Sequence, residues 1–449
     1  MSAPTYKDLF RFIALQTKGF MEKHHPSDIE GWLQLVKENG VTEEVRRKYC
    51  KSLGFTFSFT FDQHAINKGT LMYWTKSFDI ADAVGRDPCA MLQEALDEQQ
   101  LPLLVTALAN DTVGTLAARA YTSPGRSSTV VGAIFGTGTN GAYMERISRI
   151  TKLHSRKEFS NSAPTAMMAL NTEWGGFDGK LEVLPTTRFD RELDRDSVNP
   201  DDQHFEKRIS GMYLGELLRR ILIHLIQSRP GLLSLKLPED SLIYMPDSID
   251  SALLSAVVKD STPTLCNARE EISRVFNATD VSINDAKAIQ ILSEAIGRRS
   301  ARLSSVAIAG VVLQSARTGY NITAKPDASS WNLGLNILKP ILYGVHSLCT
   351  LLARWLHLKI RITVPTKGSL GALYNLSGQE ASFLESEEVI DIGVDGSLIE
   401  HFPNFERNIK EALKEIPEIG DIGERRIRIG MATDGSGVGA ALIAWAART

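Results

Sequence analysis

The sequence predicts an α/β fold whose ligand-binding residues lie in the turns that follow its strands. Three short hydrophobic segments have the composition of buried strands, and each leads into a polar or glycine-containing turn. They are Pro102–Ala109, Thr129–Phe135 and Ile427–Met431. Segments of helical periodicity alternate with them along the chain, which is the pattern of α/β proteins. Since such proteins bind ligands beyond the carboxyl ends of their strands, we expect functional residues in these turns.

Composition and charge exclude several classes of protein. The 449 residues are 43% hydrophobic and 23% charged, which is ordinary for a globular protein and allows two or three domains. A formal net charge of −3 provides no basic surface for nucleic acid. An apolar run from Leu333 to Leu358 contains charged residues that would be costly in a bilayer, so we expect no membrane span. Four separated cysteines argue against disulfides or a zinc site and predict a cytoplasmic protein: Cys50, Cys89, Cys266 and Cys349.

Hydrophobic periodicity predicts the elements of the first part of the chain. Apolar residues at helical spacing predict an amphipathic helix from Leu9 to Met21, followed by a break at His25–Asp28. Thr112–Tyr121 is also predicted to be helical, with Asp111 or Thr112 near its N-cap. The other predicted elements, in chain order, are a strand at Leu53–Phe61, a helix at Met91–Gln100 and strands at Pro102–Ala109 and Thr129–Phe135.

A polar turn at Tyr121–Ser128 predicts a boundary between two domains, residues 1–128 and 129–449. The small residues of the last predicted helix indicate that it packs inside the protein. The elements predicted beyond the boundary are a long helix at Phe205–Gln227, one or two helices within Ala286–Ser315, strands at Val389–Val394 and Ile427–Met431, and a helix at Gly437–Ala447.

Residues suited to acid–base and phosphoryl chemistry occur before the boundary. Asp111 follows a buried strand, so its carboxylate could accept a proton from a bound hydroxyl, or it could merely cap the next helix. Lys76, after Thr75, could hold a hydroxyl oxygen and offset charge on a phosphoryl group, or it could be a solvated surface lysine. Ser58 is equally unspecific when taken alone.

Glycine turns and polar side chains follow the later strands. The turn Gly136-Thr-Gly-Thr-Asn-Gly141 has neither Walker A nor dinucleotide spacing, but its backbone N–H groups could surround an anion. Asp395-Gly-Ser397 and Asp434–Gly437 are further turns of this kind, and each could equally be a plain structural turn. Asn140, Glu173 and Glu206 could hold the hydroxyls of a sugar ring, although Glu206 could instead favour a helix N-terminus.

The order of these motifs resembles the eukaryotic hexokinase family. The variants Gly136-Thr-Gly-Thr-Asn-Gly-Ala-Tyr143 and Leu184-Pro-Thr-Thr187 are more similar to fungal glucokinases and N-acetylglucosamine kinases than to animal hexokinases. The matching segments are Leu53-Gly-Phe-Thr-Phe-Ser58, Trp74-Thr-Lys76, Asn110-Asp-Thr-Val-Gly-Thr115, Gly136–Gly141, Asn171-Thr-Glu-Trp-Gly175, Phe205–Glu216 and Asp395-Gly-Ser397.

The resemblance implies a two-lobed actin-like ATPase fold, related to ribonuclease H, with mixed sheets flanked by helices. It implies that ATP with Mg²⁺ phosphorylates the 6-hydroxyl of a hexose and so feeds glycolysis, with glucose as the first candidate and N-acetylglucosamine as the second. By position, Asp111 would be the general base and Lys76 the second catalytic residue, and no side chain is assigned to the metal. The sugar would be held by Ser58, Thr75, Lys76, Asn110, Asp111, Asn140, Glu173 and Glu206. The nucleotide phosphates would meet Gly136, Thr137, Gly138, Thr139, Asp395, Gly396 and Ser397.

The chain also departs from the family pattern. Thr60 and Ser77 stand where the family has proline and glycine, and no Asp-Leu-Gly-Gly-Thr-Asn loop precedes Leu53. The segment at about 319–391 is longer than the family's connection. We expect that a missed exon and a retained intron explain the last two departures, and that the chain as written has very low activity. The alternative is a hexokinase-like regulator that binds sugar without phosphorylating it.

Overall fold

The computed structural model describes residues 3–74, 78–123, 129–155, 163, 166–228, 231–315 and 389–447. They form two compact units, the first from residues 1–122 and 432–449 and the second from residues 123–431. The division into two lobes, residues 1–128 and 129–449, remains a prediction. In the structure, residues 432–447 pack with the first unit although they come last in the chain. Cys349, the apolar run at 333–358 and nearly all of the segment at 319–391 are outside the described residues. Within the described part, no helix is long and apolar enough to span a membrane.

The first unit begins with helices and continues into two small sheets. Thr5 caps the first helix by accepting a hydrogen bond from the backbone N–H of Asp8 (3.3 Å). Pro26 starts the second helix at the predicted break. In chain order the elements are α1 Tyr6–His24, α2 Pro26–Asn39, α3 Glu43–Tyr49, β1 Lys51–Thr56, β2 Thr60–Ala65, β3 Lys68–Tyr73, α4 Pro88–Glu98, β4 Leu103–Ala109 and α5 Asp111–Thr122. Strands β1 and β4 pair in parallel, and β2 and β3 form an antiparallel hairpin.

The strand predicted at Leu53–Phe61 is interrupted in the structure. Strand β1 ends at Thr56 and β2 begins at Thr60. Between these strands lies Phe57, whose buried ring is 5.0 Å from the ring of Phe59 and 5.9 Å from that of Trp74, centroid to centroid. Alternation of apolar residues predicted one extended strand because it places Phe55, Phe57 and Phe59 on one face. It does not show that the pairing partner changes, since β1 pairs with β4 whereas β2 pairs with β3.

The second unit is built on a five-stranded mixed sheet of order β7-β6-β5-β8-β9. Strand β5 is parallel to β8, and β8 is parallel to β9, whereas β6 is antiparallel to both of its neighbours. The elements are β5 Thr129–Phe135, β6 Thr139–Arg146, β7 Met167–Asn171, α6 Arg188–Arg195, α7 Glu206–Ile209, α8 Gly211–Ser228, α9 Ser251–Lys259, α10 Cys266–Phe276, α11 Ile283–Gln314, β8 Ile390–Asp395, α12 Ser397–His401, α13 Phe405–Lys414, α14 Gly420–Arg426 and β9 Ile427–Met431.

The single helix predicted at Phe205–Gln227 is two helices, α7 and α8. They are separated by Ser210, whose backbone is extended (φ −87°, ψ 149°). The N–H of Gly211 donates to the carbonyl of Gly136 (2.7 Å), and the N–H of Met212 donates to that of Thr137 (3.1 Å). The first N–H groups of a helix have no partner inside it, so a nearby turn can take them. Here the glycine turn after β5 does so.

The last helix, α15 Gly435–Ala446, packs within the first unit against α5 and β1. A Cβ atom added at Gly439 would lie 1.8 Å from the carbonyl oxygen of Gly114. One added at Gly54 would lie 2.0 Å from the carbonyl oxygen of Ala440. These backbones can approach so closely only because the facing residues lack side chains. The small-residue composition of this helix therefore reflects internal packing, as predicted.

Candidate functional site

The acid–amide pair lies between the end of β4 and the start of α5, in the first unit. The buried Asn110 accepts hydrogen bonds through Oδ1 from the backbone N–H (2.9 Å) and the hydroxyl (2.6 Å) of Thr112. Asp111 also accepts from this N–H through Oδ1 (2.8 Å). Asn110 already accepts a hydrogen bond from the N–H of Thr112 in the first turn of the helix, so capping does not require the Asp111 carboxylate. The cap predicted at Asp111 or Thr112 is thus provided one residue earlier.

The other predicted residues of the first unit are only partly described. Ser58 lies in the turn between β1 and β2. Thr75 and Lys76 fall outside the described residues, as does Ser77. On either side of this gap, the rings of Trp74 and Phe78 stack with centroids 5.7 Å apart.

In the second unit, three polar side chains meet at the ends of β6 and β7. The amide of Asn140 donates to Oδ1 of Asn171 (2.7 Å) and to Oε1 of Glu173 (3.1 Å). The amide of Asn171 donates to the same oxygen of Glu173 (2.6 Å). The backbone of Glu173 is left-handed, with φ 50° and ψ 42°. A non-glycine residue in this region is strained, and such strain is common where a side chain must be held for function.

Glu206 is bound to the turn that precedes β6. Its Oε2 accepts a hydrogen bond from the backbone N–H of Thr139 (2.9 Å), and the indole of Trp174 donates to the Thr139 hydroxyl (3.0 Å). A Cβ atom at Gly138 would lie 2.8 Å from Glu206 Oε2, so glycine at this place leaves room for the carboxylate in its present position. Burial, together with the negative charge of Glu206, raises the pKa of Tyr213 to about 12. The carboxylate is therefore oriented by the glycine turn itself.

The two predicted phosphate turns are neighbours. They follow β5 and β8, which are adjacent and parallel. Gly396 has φ 115°, and a Cβ atom there would lie 2.6 Å from the carbonyl oxygen of Phe135 and 2.7 Å from the nitrogen of Gly136. Asp395 Oδ1 accepts a hydrogen bond from the N–H of Gly396 (2.8 Å). The N–H groups of Gly136 and Thr139 donate to the Gly138 carbonyl (3.0 Å) and to Glu206 (2.9 Å), so an anion at these turns would be bound by their other N–H groups.

A cavity of about 460 Å³ adjoins the second of these turns. Prediction from the sequence missed its wall on α9, although Ser251, Ser255 and Lys259 recur there every fourth residue and so share one face of the helix. The volume lies in the range of small-ligand sites. The lining residues are Asp250, Ser251, Ala252, Ser255, Ala256, Lys259, Ser397, Glu400 and His401.

Comparisons with known proteins identify the proteins that this chain is similar to. Two family models, both described as hexokinase, match residues 1–121 and 130–446. A glucokinase of Aspergillus niger is 41% identical over 452 residues, which are 99% of this chain and 77% of the relative. Glucokinase-1 of Saccharomyces cerevisiae is 35% identical over 98% of the chain and 75% of its own length. A solved hexokinase of Schistosoma mansoni, complexed with glucose, superposes with a TM-score of 0.65 at 26% identity, covering 98% of this chain and 76% of that one.

Proposed function

This chain belongs to the hexokinase family, and from that premise we propose that it transfers the γ-phosphoryl group of ATP to the 6-hydroxyl of glucose. The observation that carries the proposal is the joining of Glu206 to the glycine turn through the N–H of Thr139 (2.9 Å). A carboxylate suited to a sugar hydroxyl and a turn suited to a phosphate are thereby held in one rigid arrangement. Positioning of this kind provides much of the rate of phosphoryl transfer.

The residues on the sugar side would bind and orient the hexose. Glu173 and Glu206 would accept hydrogen bonds from ring hydroxyls, and the amide of Asn140 can both donate and accept. Asp111 would take the proton from the 6-hydroxyl, since its carboxylate is not needed as a helix cap. Ser58, Asn110, Thr75 and Lys76 are proposed as further sugar contacts on the resemblance alone.

We also propose a nucleotide site within the second unit. The cavity of about 460 Å³ offers serine hydroxyls, two alanines and the ammonium of Lys259, and it opens beside Ser397. We assign the nucleoside to this cavity and the phosphates to the backbone of Gly136–Thr139 and Asp395–Ser397. When bound, ATP with Mg²⁺ supplies the phosphoryl group and charge neutralisation. Mg²⁺ commonly binds through substrate phosphates, and no protein ligand for it is assigned.

Further expectations concern the location of the protein, its metabolic role and the alternatives to glucose phosphorylation. A cytoplasmic location and a role in glycolysis are proposed, with the sequence and the family as support. N-acetylglucosamine as a second substrate, and a regulator that binds sugar without turnover, remain predictions. The ADP-release assay described next, repeated with N-acetylglucosamine in place of glucose, addresses both of them.

The proposed function is tested by glucose-dependent ADP release and, separately, by calorimetric glucose binding. We expect slow ADP release from the wild-type chain, in line with the very low activity expected from its sequence, and a further fall of up to about 10²–10⁴-fold in Asp111→Asn because the general base is lost. Glucose binding should persist in this variant. Exposed Asp202→Asn serves as the matched control. Equal rates in Asp111→Asn and wild type would refute the role of Asp111, and glucose binding without any ADP release would favour the regulator.

A further inference from the structure

A second group of potential ligand side chains lies outside the site described above. Asp194 is near the end of α6, Asp201 lies in the following turn with φ 61°, and His204 lies two residues before Glu206. The potential ligand atoms of these three residues all lie within 4.8 Å of one another. Side chains from two segments of the second unit therefore converge on one point.

His204 is the residue that hydrogen bonding does not explain. Its side chain is 3% exposed, and its Nδ1 lies 3.5 Å from Oδ1 of Asp194. Among the described residues, this Nδ1 makes no hydrogen bond. Buried polar atoms nearly always have a partner, so a buried Nδ1 atom that makes no hydrogen bond and lies 3.5 Å from a carboxylate oxygen indicates a missing one.

We propose that Asp194, Asp201 and His204 bind a divalent transition-metal ion of the Zn²⁺ type. One imidazole nitrogen with two carboxylates favours such an ion over Mg²⁺ or Ca²⁺, which prefer all-oxygen ligands. The separation of 3.5 Å between His204 Nδ1 and Asp194 Oδ1 is close to the roughly 3.4 Å that tetrahedral zinc bonds impose. Asp201 is exposed and can move to complete the set, and a water molecule can take the fourth position.

Local charge permits a cation here. The buried ammonium of Lys207 donates to Oδ1 of Asp194 (2.6 Å) and to the carbonyl of Asn199 (2.7 Å). Arg208 also interacts electrostatically with Asp194, so Lys207 and Arg208 together balance the two carboxylates, and a cation meets no net positive charge. A carboxylate also has lone pairs for more than one partner. The Lys207–Asp194 pair by itself leaves both His204 Nδ1 and the position of Asp201 unexplained. Because Lys207 repels a cation, we expect weaker binding than at a site without it.

The bound ion would connect α6 to the turn that leads into α7. Helix α7 begins with Glu206, whose carboxylate holds the glycine turn. Metal binding would thus stiffen the segment that positions a sugar ligand. This inference concerns metal binding alone and does not depend on the proposed phosphoryl transfer.

The test uses the full chain, freed of metal with a chelator and assayed without nucleotide or sugar. Zn²⁺ binding is measured by equilibrium dialysis with metal analysis and by calorimetric titration. We expect one Zn²⁺ per chain, with affinity at least about tenfold weaker in Asp201→Asn because one ligand is lost. Asn keeps the shape and tolerates the left-handed backbone, so this exposed variant should fold. Asp202→Asn is the matched control, since Asp202 is the next residue and is outside the cluster.

A second variant tests the imidazole. His204→Gln should also weaken Zn²⁺ binding at least about tenfold, and Co²⁺ bound to the wild type should show the visible absorption of a four-coordinate site. Absence of stoichiometric Zn²⁺ binding to the wild type would overturn the proposal. Equal affinities in Asp201→Asn and Asp202→Asn would overturn it as well. If His204→Gln does not fold, the comparison of the two aspartate variants decides by itself.

Discussion

Two carboxylates of the candidate site are held by different physical means. Glu206 is oriented by a backbone N–H, that of Thr139, at 2.9 Å. Glu173 is oriented by the amides of Asn140 and Asn171 and by its own left-handed backbone. Glu206 needs only one oxygen atom to accept its hydrogen bond, whereas Glu173 depends on a network of side chains. Glutamine at position 206 would keep that oxygen and remove the negative charge, so it tests the charge alone.

At the residue scale, we predict that Glu206→Gln weakens glucose binding by about tenfold or more, since a charged hydrogen bond contributes about 1.5–3 kcal/mol. The fold should remain, because the glutamine oxygen can still accept from the N–H of Thr139. Calorimetric titration and thermal unfolding measure the two effects. Glu182→Gln, at an exposed position, is the control. Unchanged glucose affinity in Glu206→Gln would remove Glu206 from the sugar site.

At the scale of elements, close backbone contacts determine how the first unit packs. Helix α15 touches α5 at Gly439 and Gly114, where an added Cβ would meet a carbonyl oxygen at 1.8 Å. Within the second unit, Arg299 of α11 binds the buried Asp190 of α6 at 3.0 Å. The contact between α15 and α5 requires glycine, so an added methyl group should disrupt it. The contact between α11 and α6 is a buried ion pair, so a change of charge or of pH should disrupt it.

We predict that Gly439→Ala lowers the free energy of unfolding by at least about 1–3 kcal/mol, because the rigid backbone of α5 cannot yield. Gly19→Ala is the matched control within α1, where an added Cβ meets nothing within 4 Å. It should be neutral or stabilise by up to about 1 kcal/mol through helix propensity. Denaturant unfolding measures both. Equal effects of the two substitutions would show that α15 does not pack as described.

The buried pair of α6 and α11 predicts a dependence of stability on pH. Burial alone would raise the pKa of Asp190, but Arg299, Arg208 and hydrogen bonds from Thr187 lower it overall. An acid with a lowered pKa in the folded state stabilises the fold above its unfolded pKa of about 3.9, and this stabilisation is lost as the pH falls further.

Asp190→Asn should therefore reduce stability at pH 7 by about 3–5 kcal/mol, since Arg299 would be left as an unpaired buried charge. It should also flatten the loss of stability below about pH 4. Denaturant unfolding between pH 7 and acid measures both effects, with Asp202→Asn as the control. If Asp190→Asn lost as much stability below about pH 4 as the wild type does, groups other than Asp190 would cause this pH dependence.

At the scale of the whole molecule, sugar binding should stabilise the folded chain by mass action. Glucose at 100 times its dissociation constant is expected to add about 2.7 kcal/mol to the free energy of unfolding. Thermal unfolding with increasing glucose measures this, and sorbitol at equal concentration controls for nonspecific polyol effects. A chain that sorbitol stabilises as much as glucose does would have no specific sugar site.

Much of the fold could be predicted from periodicity because helices and strands bury one face at fixed spacing. Strand β9 has the predicted limits, Ile427–Met431, and β4 differs from its prediction by one residue. Periodicity failed where distant residues decide the local conformation. Beside the break at Ser210, the N–H of Gly211 donates to the carbonyl of Gly136, and after Thr56 the ring of Phe57 packs against that of Trp74.

The candidate site was predictable in part for the same reason. Motif order pointed to Glu206 and the glycine turn as separate features, but not to the hydrogen bond between them. The cavity wall on α9 was missed because serines and a lysine at helical spacing are common on surfaces. The cluster of Asp194, Asp201 and His204 was missed because its residues follow no metal-binding spacing.

The sequence by itself determined the family, the α/β class and the chemical types of the site residues, because these depend on residue identity and order along the chain. Only the tertiary structure decided which residues meet. It placed the turns of Gly136 and Gly396 in contact, made Asn110 the helix cap in place of Asp111, and left His204 Nδ1 buried beside Asp194. The physical reason is that contacts between distant residues arise from packing of the whole chain, and no local pattern encodes them.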